Sequence, residues 1–414
     1  MNFFYNILVY IASFVLNIIA IFNKKIRLFI KGRKGVFKKL ENQFNTNDKV
    51  IWFHCASLGE FEQGRPIIEK IKSQHPNYKV LITFFSPSGY EIRKNYAIAD
   101  VVSYLPLDTK YNAKKFIAIV NPKIAIFVKY EFWPNLLKQL KSKKVKTILV
   151  SGIFRKDQPF FKGFNWMKKS LQTFDHFFVQ NKNSKELLKQ IGFDNVTISG
   201  DTRFDRVFDI TKQNNTLDFA KQFTNKQITL VAGSTWKRDE ELLVSYVNNI
   251  AESNQKFIIA PHNIHTTEIA KLKAKISKET ILYSEINNKK LSNYQVLIID
   301  TIGLLSKIYN YANIAYVGGG FGTGIHNILE PATFEVPIII GPNYQKFKEA
   351  NDLIDLGACI VINDSSELNN KLTPLFTNSI DRKSKGKISR DYIISNIGAT
   401  NMITNYLNDT ICKK

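Results

Sequence analysis

The sequence predicts an α/β protein of two doubly wound, parallel-sheet domains behind an N-terminal hydrophobic helix. Three observations carry this reading. The chain has 414 residues, too many for one compact core and suited to two domains of ordinary size. From residue 49, short apolar, β-branched runs alternate with polar-amphipathic stretches. Unbroken apolar strands separated by helices indicate parallel sheets covered on both faces. Near 200–226 this alternation pauses, then restarts with its own strands and helices.

The first element is "FFYNILVYIASFVLNIIAIF", Phe3 to Phe22, uncharged and about long enough to cross a bilayer. Lys24, Lys25, Arg27, Lys31, Arg33, Lys34, Lys38 and Lys39 follow it. The positive-inside rule keeps such a flank in the cytoplasm, and it reads as an electrostatic collar for an anionic membrane surface. The stretch lacks the basic n-region and small-x-small site of a cleaved signal peptide. Asn6, Ser13 and Asn17 interrupt it, so a spanning helix, one lying on the interface and one docked on the protein all remain open.

In the first domain "KVIWFH", "KVLITFF", "VVSYLP", "IAIFVKY", "KTILVSG" and "HFFVQN" read as strands, with helices such as "EQGRPIIEKIKSQ" between them. In the second, the strands are "QITLVAGS", "KFIIAPH", "TILYS", "QVLIID", "IAYVGGG", "VPIIIGP" and "ACIVIN". The expected division is 1–40 anchor and basic flank, 41–210 first domain and 211–414 second domain, with a linker near 205–225. Two such domains facing each other make a cleft, and ligands of open α/β sheets sit beyond the carboxyl ends of the strands.

Composition narrows the function. Hydrophobic residues are 44% and charged residues 22%, normal for a folded chain. Cys55, Cys359 and Cys412 are far apart without a CxxC pair, which disfavours a disulfide framework or a zinc site and fits a reducing compartment. The net charge of +23 points to an anionic partner, although a chain rich in Lys, Asn and Ile together also reflects codon bias. Neither aromatic-basic stacking motifs nor a nucleic-acid-binding fold is visible, so nucleic acid is not the expected partner.

The loops after strands hold the candidate chemistry. In "HCASLGEFEQG", Ser57 can cap a helix with Glu60 as the capping-box acid, and Gly59 permits close backbone approach. Glu60 is therefore either a helix-cap acid or a general base at the mouth of a cleft. In "IAIFVKYEFWPNLL", Glu131 is a second carboxylate after a strand, or a solvated loop acid beside a packing Trp133; Pro134 suits a helix's first turn. "ISGDTRFDR" sets Asp201, Arg203, Asp205 and Arg206 near the domain junction, where a cation can meet a phosphate or simply pair on the surface. In the second domain, Gly233, Ser234 and Thr235 precede a helix, Pro261 and His262 follow a strand, and "IAYVGGGFGTGIHNILEPATFEVPIIIGPN" joins a glycine-rich loop to His326, Asn327 and Glu330. That loop fits neither GxxxxGK[ST] nor GxGxxG. With the acid downstream and the two-domain layout, it suggests a sugar-nucleotide site.

The ordered set "HCASLGE", "YEFWPNLL", "GDTRFD", "AGSTWKRDEE", "DTIGLLSKIYNYANIAYVGGGF" and "GIHNILEPATFEVPIIIGPNYQKFKEA" resembles the 3-deoxy-D-manno-octulosonic acid (Kdo) transferases of lipopolysaccharide assembly, from the anchor to about residue 355. The resemblance implies a GT-B glycosyltransferase of two Rossmann-like domains, with CMP-Kdo as donor and a lipid A precursor (lipid IVA) as acceptor, at the cytoplasmic face of the inner membrane. It implies Glu60 as general base, Glu131 and Arg203 as transition-state stabilisers, and an inverting single displacement without a metal or other cofactor. It also implies nucleotide contacts at Pro261–His262, at Ile302, Gly303 and Leu304, and at Asn327, Ile328, Leu329 and Glu330. Two departures stand out: "APHNIH" lacks the Arg the family commonly has between Pro and His, and Leu304 stands where the family often has Glu. The alternative is another membrane-associated GT-B enzyme using a different nucleotide sugar.

Overall fold

A computed structural model describes residues 2–129, 131–163 and 165–412. Met1 of the anchor segment and Tyr130 of the Glu131 motif lie outside the described residues. Among the described residues, fourteen strands form two seven-stranded sheets. The first holds β1 (Val50–Cys55), β2 (Lys79–Phe84), β3 (Val101–Tyr104), β4 (Ile124–Val128), β5 (Lys146–Gly152), β6 (His176–Val179) and β7 (Val196–Ile198). The second holds β8 (Ile228–Thr235), β9 (Gln255–Pro261), β10 (Thr280–Leu282), β11 (Val296–Ile298), β12 (Ile314–Val317), β13 (Ile338–Ile340) and β14 (Cys359–Val361).

Among the described residues, every pairing is parallel. Strand order is β3-β2-β1-β4-β5-β6-β7 in the first sheet and β10-β11-β9-β8-β12-β13-β14 in the second. Order therefore reverses between β1 and β4, and again between β8 and β12. These are the two topological switch points, where crossover helices leave opposite ways and open a crevice at the strands' carboxyl ends.

Both faces of the first sheet are buried, which explains why its strands read as unbroken apolar runs. Side chains alternate sides along β1: Trp52 packs with Phe116 and Phe127 on one face, Phe53 with Ile126 and Ile148 on the other. The second sheet has an equivalent core around Leu230, Ile259, Tyr316 and Ile339. Strand β7 was not expected from the sequence, because three residues are too few to show a period.

The chain forms two compact units, Met1–Asp205 with Ile397–Lys414, and Arg206–Asn396. The expected second domain, 211–414, kept the C-terminus with the second sheet, whereas the helix Ala399–Cys412 returns to the first. Its buried stripe of Ala399, Thr400, Ile403, Thr404 and Leu407 has helical spacing, and Ile403 and Leu407 join the core behind β1. Burying each of those two side chains is worth about 1.5–3 kcal/mol. Asp205 fixes the helix start, accepting from Gly398 N–H (2.6 Å), Thr400 N–H (2.8 Å) and Thr400 Oγ1–H (2.9 Å). The expected linker is largely helical, with helices at Thr202–Thr211 and Asp218–Thr224.

Candidate active site

Glu60 and Glu131 follow the two strands that flank the first switch point. Glu60 sits in the first turn of the helix Leu58–Gln74, directly after β1, and accepts from Ser57 N–H at 2.9 Å. The capping reading is thus realised through Glu60's half of the box. It does not use up the carboxylate, because its second oxygen keeps acceptor capacity. Gly59 is not required for packing: an added Cβ would meet only Ser57 Oγ, at 4.0 Å.

Glu60 is buried, and burial pushes its pKa above the ordinary carboxylate value. The neighbouring Glu131 charge raises it further, while Ser57 N–H, His54 and Lys129 pull it back. Lys129, the residue after β4, lies in the left-handed region, at φ 69°. A non-glycine residue held there costs energy and recurs at functional turns.

Glu131 belongs to a half-buried polar group, around the buried His54, that the sequence reading did not assemble. The Trp133 indole N–H is shared between Glu131 Oε2 (3.1 Å) and His54 Nε2 (3.2 Å), and His54 Nε2 lies 3.5 Å from Glu131 Oε2. His54 Nδ1 lies 2.9 Å from Thr83 Oγ1, which also accepts from Trp52 Nε1 at 2.8 Å. His54 was read only as the end of a strand, since nothing local distinguishes an inward-facing strand histidine from a core one. Pro134 opens the helix Pro134–Ser142, as expected.

Arg203 pairs with Asp201: its Nε donates to Oδ2 at 2.8 Å, and its backbone N–H donates to Oδ1 at 2.9 Å. Asp201 is buried, so this is not plain surface pairing. Gln63, one turn after Glu60 on the same helix, lies 3.4 Å from both Asp201 carboxylate oxygens. Its own Oε1 is buried without a hydrogen-bond partner among the described residues. Gln63, Asp201 and Arg203 thus form a contiguous polar group on the first unit, one helical turn along from Glu60.

The second unit builds a separate group at its own switch point. Trp236 follows β8, His262 follows β9 and His326 follows the glycine-rich loop after β12. Trp236 and His262 stack with ring centres 4.5 Å apart, as do His262 and His326. Burial and neighbouring His262 lower the pKa of His326, and the neutral ring accepts the Trp236 indole N–H at Nε2, 2.9 Å. The exposed Trp236 ring is an aromatic platform of the kind that takes a nucleobase.

The buried Asp239 carboxylate organises this group. It accepts from Trp236 N–H (2.9 Å), Gly319 N–H (3.0 Å) and Tyr316 Oη–H (2.7 Å). Its signal was present as an acid three residues into a helix, but its partners lie 77 and 80 residues away. Gly318 serves packing within the unit: an added Cβ would stand 2.4 Å from Ser234 O. Gly319 has φ +93°, open to glycine without strain.

Of the other expected nucleotide contacts, Asn327 donates to Glu330 Oε1 at 3.0 Å and accepts from Leu329 N–H at 3.2 Å. Ile328 and Leu329 are buried beneath that turn. Pro261 ends β9, and His262 N–H bonds Thr235 O at 2.9 Å. Ile302, 83% exposed, and Gly303, at φ +95°, follow β11, and Leu304 precedes a short helix. Since β11, β9, β8 and β12 are consecutive parallel neighbours, all these segments share one edge of the second sheet. No direct contact joins Ile302–Leu304 to the Trp236 group among the described interactions.

Comparisons with known proteins bear on the family and the fold. Residues 30–206 match the family model described as 3-Deoxy-D-manno-octulosonic-acid transferase (kdotransferase). The chain is 29% identical over 334 residues to the 3-deoxy-D-manno-octulosonic acid transferase of Aquifex aeolicus, covering 79% of this chain and 86% of that one. It is 26% identical over 375 residues to that of Rickettsia felis, covering 87% and 79%. Among solved structures, MurG of Acinetobacter baumannii matches with TM-score 0.54 at 13% identity, covering 87% of this chain and 99% of that one. UDP-GlcNAc 2-epimerase of Neisseria meningitidis matches with TM-score 0.59 at 13% identity, covering 88% and 100%. These likenesses establish the two-domain GT-B type of fold, which serves more than one reaction.

Proposed function

We propose that the protein is a 3-deoxy-D-manno-octulosonic-acid transferase, the family whose model its residues 30–206 match, and that it transfers Kdo from CMP-Kdo to a lipid A precursor in lipopolysaccharide synthesis. The observation that carries the reading is the pair Glu60 and Glu131 flanking one switch point, with burial and its neighbour holding Glu60's pKa above the ordinary carboxylate value. In the proposed step Glu60 takes the proton from an acceptor hydroxyl. The oxygen forms a bond to the anomeric carbon of Kdo as the bond to the CMP phosphate oxygen breaks, inverting that centre. Charge leaves with the phosphate, which Arg203 is proposed to meet. Asn327 to Glu330, Pro261–His262 and Ile302–Leu304 are proposed to hold the nucleotide, with Trp236 beneath the base. The hydrophobic N-terminal helix and its basic flank are proposed to attach the enzyme to the inner membrane at its cytoplasmic face, beside an anionic lipid acceptor.

The test is incubation of the detergent-solubilised protein with CMP-Kdo and lipid IVA, read by product mass. A product heavier by one or more Kdo units is expected, and none from the folded protein would overturn the reading. The missing Arg in "APHNIH" and Leu304 in place of Glu favour one second reading, a different nucleotide sugar. Competition separates the two: inhibition by CMP but not UDP is expected for the first, the reverse for the second.

A pH prediction follows. A base works only when deprotonated, so the rate should fall on the acid side through a pKa above the ~4.3 of an ordinary glutamate. Removing the like charge with Glu131→Gln should shift that acid limb of kcat/KM to lower pH. An unmoved limb would show that another group titrates.

A further inference from the structure

The hydrophobic helix Asn2–Phe22 is tied to the first sheet's unit at both ends. Near its start, Tyr5 Oη donates to Asp108 Oδ2 at 2.8 Å, and Asn6 Oδ1 accepts from Asn135 Nδ2 at 3.0 Å. Asp108 is buried and also accepts from Asn135 N–H and Leu136 N–H, both at 2.9 Å, capping the helix Pro134–Ser142. At the other end the chain breaks at Asn23, enters the helix Lys24–Lys31, and is pinned by Arg33. Arg33 donates to Leu105 O at 2.9 Å and Phe85 O at 2.7 Å, and lies over the Phe29 ring. This corrects the collar reading for Arg33, which is embedded in the protein with its pKa pushed down to about 9 by burial. Lys24, Lys25, Lys31 and Lys34 remain exposed.

The two ties lie close together. Leu105 and Asp108 are three residues apart, a separation of at most about 11 Å. The helix from Tyr5 to Phe22 rises roughly 26 Å, nearly the ~30 Å of a hydrocarbon core. If it spanned, Tyr5 would reach the far face of the bilayer, where Asp108 cannot follow. A hairpin with its tip buried is also excluded, because the tip is Asn23, Lys24 and Lys25. Among the described residues the helix is covered along Tyr5, Asn6, Val9, Ser13, Leu16 and Ala20, a helical stripe; most of its other side chains are apolar and exposed, Phe14 at 69% and Phe22 at 85%. Such a surface beside exposed lysines fits one occupant, the headgroup–acyl boundary of an anionic leaflet.

We infer that the Asn2–Phe22 helix is an in-plane anchor, latched by Tyr5 and Asn6 onto Asp108 and Asn135, which lies in one leaflet and does not cross the membrane. The inference rests on the proposed membrane attachment and fixes its topology. It also has a functional corollary. Asn135 is four residues from Glu131, and Arg33 sits on Phe85, whose ring meets that of Trp133 at 4.6 Å. Both ties therefore lie beside the Glu131 loop and orient that side of the unit towards the leaflet, without shaping the loop itself.

The experiment uses the full chain with a protease-cleavable tag ahead of Met1, in membrane vesicles whose cytoplasmic face is outward. Complete tag cleavage in intact vesicles, with the protein still in the membrane pellet, is expected. A tag cut only after detergent opens the vesicles would show a span and overturn the inference while leaving attachment intact. Protein in the supernatant would overturn attachment and the inference with it. The latch is tested by combining Tyr5→Phe with Asn6→Ala. Transfer to acceptor in anionic vesicles should fall several-fold, while transfer to detergent-dispersed acceptor stays unchanged; equal loss in both, or none in either, would refute the latch.

Discussion

Replacing Glu60 with Gln should abolish nearly all turnover while leaving a folded protein. A positioned general base contributes about 10²–10⁴ in rate, so kcat should drop by that factor with KM for the donor little changed. Stability should not suffer. The Glu60 pKa is raised in the folded state, so burying its charge is unfavourable above that pKa and the penalty lifts as pH falls through it. A neutral Gln removes the penalty at neutral pH, and its amide oxygen can still accept the Ser57 N–H. Thermal melting and single-turnover product formation, measured on the same sample, check both halves. Activity within a few-fold of wild type would leave Glu60 as a helix cap. Lost activity together with a lowered melting temperature would make the change structural.

The second large effect is expected far from either carboxylate. Asp239→Ala removes the acceptor for Trp236 N–H, Gly319 N–H and Tyr316 Oη–H at once. The Gly319 and Tyr316 donors are buried, and each left unpaired costs about 1–3 kcal/mol, so the second unit should lose at least ~2 kcal/mol. For a unit of this size that corresponds to a melting point lower by roughly 4–8 °C. Calorimetry should show this shift in one transition only. CMP binding should weaken as well, because the glycine-rich loop and the Trp236 platform lose their common tie. Asp239→Asn keeps one acceptor oxygen and should fall between the two. An unshifted melt in Asp239→Ala would show that these donors find other partners.

Much of the architecture follows from the chain read in order. Unbroken apolar runs such as "KVIWFH" and "IAYVGGG" require burial on both faces, and alternation with helices then demands parallel sheets with loops gathered at one edge. That logic was enough to look for Glu60 and Glu131 after strands, and for a glycine-rich turn before Asn327. It also gave the anchor's length and charge flank, since these are properties of consecutive residues.

Only the tertiary structure decided which distant residues share a site. Strand order sets β1 beside β4 and β8 beside β12; no local pattern encodes that order, because every strand carries the same apolar signal. The His54–Glu131–Trp133 group, the Asp239 ties to Gly319 and Tyr316, and the return of the Ala399–Cys412 helix are all contacts between segments far apart in sequence. The same holds for the anchor. Its apolar composition suits a span and an in-plane helix equally. What distinguishes them is where Tyr5 and Arg33 find their partners, and hydrogen bonds of that kind exist only once the sheet has brought Asp108 and Leu105 to one edge.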